Sequence, residues 1–183
     1  HLRLARLLGE RGVPFADLLE TAGALPIELQ VERALLAFYE RGARLEELLA
    51  LWPLLDALGF VREPPAVARD VCERLFDETQ SHALAAGAKL LASSTRPAWR
   101  EVGRVAALLL PAWPAELTLA EALTRFRRIT EKFRLAPPDG WGALEAFAQK
   151  DERPLPARVI FAALASFLPE KGPAAAGPEI GRA

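Results

Sequence analysis

The sequence predicts an all-α fold, an irregular bundle of about seven to nine helices, and three observations carry that prediction. Half of the residues are hydrophobic, with alanine and leucine dominant and β-branched types few, a composition that favours helix over strand. The apolar positions recur mostly at spacings of three and four, the period of one helix face. Proline or glycine punctuates the chain at short intervals, and no stretch alternates apolar and polar residues for long enough to make a strand. The short connections favour antiparallel neighbours. A short α-solenoid of stacked helix pairs is the alternative architecture, although the chain shows no repeat at the periods helical-repeat families use. The 183 residues suffice for one core. The expected organisation is a helical domain over 1–168, then a flexible tail or linker rich in Pro, Gly and Ala over 169–183.

Taken in order, a helical start from Leu2 to Leu8 stops at Gly9 or Gly12. A short helix follows Pro14, with Phe15, Leu18, Leu19 and Ala22 apolar and Gly23 as its stop. Pro26 opens a stronger helix with the stripe Ile27, Val31, Leu35 and Phe38, and Gly42 suits its C-terminal side. Leu45 to Leu58 carries Leu45, Leu48, Leu49, Trp52 and Leu55. Pro53 inside that run removes a hydrogen bond and is expected to kink the helix or split it after Trp52.

The stretch from Pro64 to Ser93 opens with Pro64-Pro65 and then has no proline and one glycine, Gly87, so it reads as a single long central helix. Its inward stripe would be Ala68, Cys72, Leu75, Phe76, Thr79, Ala83, Ala86 and Leu90. The second half turns small, at Ala83, Ala85, Ala86, Gly87 and Ala88, which invites close approach by a neighbouring helix. Next comes a helix over 97–110 with Trp99, Val102, Ala106 and Leu109 inward. Pro111 and Pro114 bracket a tight connection. Thr118 and Glu121 form a capping box for a helix of stripe Leu119, Leu123, Phe126, Ile129 and Phe133 that runs to about Leu135. Asp139 suits the N-cap of a short helix burying Trp141, Leu144 and Phe147. Lys150 to Pro154 reads as a charged turn, and Pro156 to Leu168 as a very apolar last helix.

Motifs for catalysis are scarce. The chain has no glycine-rich phosphate loop, no GxGxxG and no GxSxG elbow. On one continuous helix, Cys72 and His82 would stand roughly 15 Å apart, too far to act together. Cys72 lies on the apolar stripe and reads as a small buried hydrophobe. Glu78 and His82 are a weak metal candidate beside Glu73 and Asp77. Di-metal bundles use a Glu-x-x-His spacing on two helices, whereas Glu78 and His82 are one residue further apart and no second helix supplies a histidine. No cofactor is expected, and the expectation is a protein that is not an enzyme.

Net charge is −1 overall but unevenly spread. Residues 1–92 hold ten basic and fourteen acidic groups, and residues 93–183 hold thirteen and ten. The basic excess concentrates in Arg96, Arg100 and Arg104 on one helix and continues in Arg125, Arg127, Arg128, Lys132 and Arg134 on the next, where Arg125, Arg128 and Lys132 share the outer face, so that two ridges together suit a phosphate backbone. Trp113, in a Pro-flanked connection, is either an interface anchor or a lid on the core. The leading expectation is a non-enzymatic binding or regulatory module that contacts another protein or domain. The alternative is a nucleic-acid-binding domain using Arg96, Arg100, Arg104, Arg125, Arg128 and Lys132.

No apolar run nears the roughly 20 residues that cross a bilayer, so a membrane partner is not expected and a cytoplasmic location is. Arginine greatly outnumbers lysine and proline is frequent, as in high-GC or thermophilic bacteria. With His1 first and no methionine anywhere, the chain is expected to be a piece or a processed form of a larger bacterial protein.

Overall fold

The computed structural model describes residues 25–110, 113–137 and 141–168, and eight helices lie among them. They are α1 (Ile27–Glu40), α2 (Leu45–Ala57), α3 (Pro65–Thr79), α4 (Leu84–Ser93), α5 (Pro97–Leu109), α6 (Leu119–Lys132), α7 (Trp141–Ala148) and α8 (Ala157–Phe167). The two helices expected before Pro26, the Asp139 cap and the tail after Leu168 lie outside the described residues. Helix α1 packs on both α2 and α8, so the first and last described helices are neighbours. A solenoid, whose units touch only the next in line, lacks such a contact. The fold is a bundle.

Six of the eight described helices start without a side-chain cap, and at two of them, α2 and α4, the backbone of another connection takes its place. Arg44 precedes α2 and Ala83 precedes α4, and neither bonds the first turn. The backbone does it instead. The two connections pair as an antiparallel bridge between Arg44 and Ala83. Leu45 N–H donates to His82 O at 2.8 Å, and Leu84 N–H donates to Ala43 O at 3.0 Å. Each connection thereby satisfies the first orphan amide of the helix that follows the other. The device recurs between β1 (Glu116–Leu117) and β2 (Leu155–Pro156), an antiparallel pair just ahead of α6 and α8, where Ala157 N–H donates to Ala115 O at 3.1 Å. Strands of two residues are too short to leave an alternating pattern in a sequence. Helix α6 also has the expected capping box: Glu121 N–H donates to Thr118 Oγ1 at 3.2 Å, and Thr118 N–H donates to the Glu121 carboxylate at 2.8 Å.

The central stretch is not one helix. It breaks at Gln80, which sits in the left-handed region at φ 49°. Thr79 Oγ1 donates to Leu75 O at 2.7 Å, Gln80 Nε2 donates to Asp77 O at 2.8 Å, and Ala83 N–H donates to Ser81 Oγ at 3.2 Å. Three consecutive polar side chains thus offer the backbone partners that compete with the helical ladder. The break shifts the phase of the stripe. Ala68, Cys72 and Leu75 are buried as expected, but after the break Leu84, Gly87 and Leu91 point inward while Ala83 and Ala86 are exposed. Pro53 has the opposite outcome. It is exposed on a helix that stays continuous from Leu45 to Ala57, on a side where a carbonyl deprived of its donor can turn to water.

The core runs through the bundle, with Trp52, Phe38, Phe126 and Phe161 the largest fully enclosed side chains. Two aromatic polar tips are tied off by carbonyls of other segments. Trp52 Nε1 donates to Glu63 O, and the Tyr39 hydroxyl donates to Leu109 O, both at 2.9 Å. Tyr39 also packs on Trp113 and Phe161, each with a ring-centroid distance of 5.2 Å.

A close backbone approach between helices occurs at a glycine the small-residue stripe does not include. A methyl group on Gly103 of α5 would lie 3.2 Å from both Cβ and the carbonyl oxygen of Leu91 on α4, so that backbone would have to give by a few tenths of an ångström. On Gly87, by contrast, it would meet the side-chain end of Leu75. Gly103→Ala is therefore expected to destabilise the fold by about 1–3 kcal/mol despite alanine's better helix propensity. Urea unfolding reads this directly, and a variant as stable as the parent would show that α4 and α5 are not locked at this point.

Candidate binding site

Helix α6 is the most amphipathic surface in the described chain. Its inner stripe, Leu119, Leu123, Phe126 and Ile129, is buried, and Phe133 continues it just past the last turn. Arg125, Arg128 and Lys132 follow at spacings of three and four along one outer side. They line a groove of about 510 Å³ whose opposite wall is Trp113 and whose apolar surface includes Ala120 and Ile129.

Trp113 is half-buried. It stands edge-on to Phe161 at 4.7 Å between centroids, and the Arg125 guanidinium lies 6.0 Å from its ring centroid. Its Nε1 is buried with no hydrogen-bond acceptor among the described residues. The ring packs against the core and also lines the groove.

A second and larger cleft, of about 1130 Å³, opens where the α2–α3 connection, α5 and the end of α6 meet. Arg100, Arg104 and Lys132 line it, so Lys132 borders both concavities. The structure thereby brings five of the six basic candidates onto two adjoining depressions. Arg96 is the exception. It is exposed at the N-cap of α5, 5.9 Å from the Trp99 ring centroid, and lines neither.

The basic residues differ in what they already hold. Arg104 is committed to the fold: Nε and Nη2 donate to Glu101 at 3.0 and 2.9 Å, Nη2 also donates to Phe60 O at 2.8 Å, and the guanidinium covers the Phe60 ring at 4.8 Å. The Arg104 hydrogen bonds, with help from the Arg62 amide, hold the Glu101 carboxyl below its ordinary range. Arg127 pairs with Glu131 and Glu145 and is likewise structural. Arg100, Arg128 and Lys132 make no side-chain hydrogen bond or ion pair among the described residues. Two further cleft residues, Arg62 and Arg134, come from a connection and from the turn that ends α6. Helix-face spacing cannot place such residues.

The metal candidate acquires a different geometry. The break at Gln80 separates Glu78 from His82, and His82 Nδ1 instead meets the carboxylate of Glu46 on α2 while its ring packs on Phe76 at 4.6 Å. No group of three or more His, Cys, Asp or Glu side chains able to hold a metal ion occurs among the described residues. Burial pushes the Cys72 thiol up to about 12, which keeps it protonated and non-nucleophilic at neutral pH. None of the described helices is long and apolar enough to cross a membrane. Comparison with known protein families, with curated proteins and with solved structures finds no match to this chain.

One buried acid adjoins this region. Glu28 lines the larger cleft, and Glu32, one turn further along α1, is 1% exposed with neither carboxylate oxygen hydrogen-bonded to a described residue. Desolvation, with a smaller contribution from Glu28, pushes its carboxyl up from 4.5 to about 7. A raised folded-state value means the stabilising contribution is complete below about pH 4.5 and is lost as pH rises through about 7. That loss is on the order of 3 kcal/mol. Glu32→Gln should therefore match the parent in acid and exceed it in stability at pH 8. Urea melts across this pH range test the point; a difference that does not change with pH would contradict it.

Proposed function

We propose that the chain is a non-enzymatic helical binding or regulatory module that acts through contacts with another protein, and that the α6 groove receives an acidic, amphipathic segment of that partner. The supporting observation is the groove's make-up: apolar surface from Trp113, Ala120 and Ile129, bordered by Arg125, Arg128 and Lys132. An amphipathic helix with carboxylates flanking its apolar stripe matches both features, one by burial and one by charge. The nucleic-acid reading is retained as the second, because Lys132 joins the groove to the larger basic cleft and so extends positive charge from α6 towards Arg100.

Fluorescence anisotropy separates the two. The probes are an acidic amphipathic peptide, a scrambled peptide of equal charge without an apolar face, and a single-stranded oligonucleotide. The amphipathic peptide should bind best, and the pair Arg125→Ala with Arg128→Ala should weaken it about tenfold at unchanged melting temperature. Equal binding of the scrambled peptide would sink the apolar half of the reading. Preference for the oligonucleotide with a steep salt dependence would favour the nucleic-acid reading instead.

A further inference from the structure

Arg134 occupies a backbone conformation that its side chain does not favour. Helix α6 ends in a Schellman turn: Arg134 N–H donates to Glu131 O at 2.9 Å and Leu135 N–H donates to Thr130 O at 3.0 Å. The residue between cap and exit must be left-handed, and Arg134 has φ 59°. Glycine takes this position without steric cost. Leu135 supplies the apolar contact that usually accompanies the motif and is buried. The turn therefore needs nothing from an arginine side chain, and Arg134 makes no side-chain hydrogen bond or ion pair among the described residues.

The side chain instead lines the larger cleft, which gathers five cations and three carboxylates. Arg104 and Glu101 neutralise each other there. Arg100, Lys132 and Arg134, from the side of α5 and the end of α6, are left without ion-pair partners among the described residues. In a chain of net charge −1, this depression of about 1130 Å³ carries a local excess of positive charge, and one of its cations is held by a strained backbone. We infer that this cleft binds a ligand bearing clustered phosphates, with Arg100, Lys132 and Arg134 contacting its oxygens. Guanidinium groups match phosphate in charge and in paired donor geometry, and the lysine adds a point charge between them. Nucleotides, free polyphosphate and a nucleic-acid strand share this chemistry. The inference stands on the cleft and not on the α6 groove.

The test uses the full chain, with tripolyphosphate and a short single-stranded oligonucleotide as separate probes in calorimetric titrations. Melting curves at ionic strength matched with chloride accompany them. Tripolyphosphate binding at one site assigns the cleft to small ligands, and binding of the oligonucleotide alone assigns it to strand phosphates. In either case Arg134→Gly should raise the melting temperature of the free protein by about 2–4 °C, through relief of strain, and weaken binding about tenfold. Arg100→Gln with Lys132→Gln should weaken binding without loss of fold. An arginine with a purely structural role gives the reverse, a lower melting temperature and unchanged affinity, and that result overturns the inference. So does the absence of binding by both probes, or stabilisation no greater than matched chloride gives. Arg125→Ala with Arg128→Ala, which tests the peptide groove, should leave tripolyphosphate binding intact, so failure of one site is distinguishable from failure of the other.

Discussion

The bundle depends on how Tyr39 is held. Its ring lies at the end of α1 between Phe38, Trp113 and Phe161, and its hydroxyl donates to the last carbonyl of α5. A buried phenol without an acceptor costs roughly 1–3 kcal/mol, so the position of that carbonyl and the position of the ring constrain each other. Through this contact α1, α5 and α8 are fixed together, although they are widely separated in sequence. Trp113 is wedged against the same cluster. The wall of the α6 groove is therefore set by core packing, so a partner docking there would cost it little freedom.

The basic residues divide into two populations. Arg104 and Arg127 are spent on Glu101, Glu131, Glu145 and the Phe60 carbonyl, where they join elements of the fold. Arg100, Arg128, Lys132 and Arg134 are not so engaged among the described residues. Position on a helix does not separate them: Arg127 and Arg128 are adjacent. What separates them is whether a carboxylate from a turn away or from another helix arrives at the guanidinium, and Glu145 of α7 does so for only one of that pair.

Helix α6 was legible because its signals are local. Its cap, its stripe and its outer cations all follow from residues within two turns of one another. The break between α3 and α4 was not. Thr79, Gln80 and Ser81 are tolerated inside helices, and the apolar spacing runs on past them. What favours the break is the bridge to the α1–α2 connection, a partner far away in the chain. Pro53 misled in the opposite sense, because the cost of a proline depends on whether the deprived carbonyl is dry, and sequence does not show that. The basic ridges on α5 and α6 could be read from their spacing. Their meeting at Lys132, with Arg62 and Arg134 joining from a connection and a terminal turn, is a product of packing.

The docking of α1 on α8 has a consequence for the order in which the protein can be completed. A ribosome releases α1 before the other described helices and α8 after them. Until α8 emerges, the flank of α1 that it covers lacks this neighbour. Val31, Leu35 and Phe38 are fully enclosed in the finished molecule, so part of this apolar edge stays open during synthesis, a natural point for a chaperone to engage. Closure across so long a loop is also a slow step compared with the pairing of adjacent helices. The middle of the bundle can consolidate first, and the two ends then shut it.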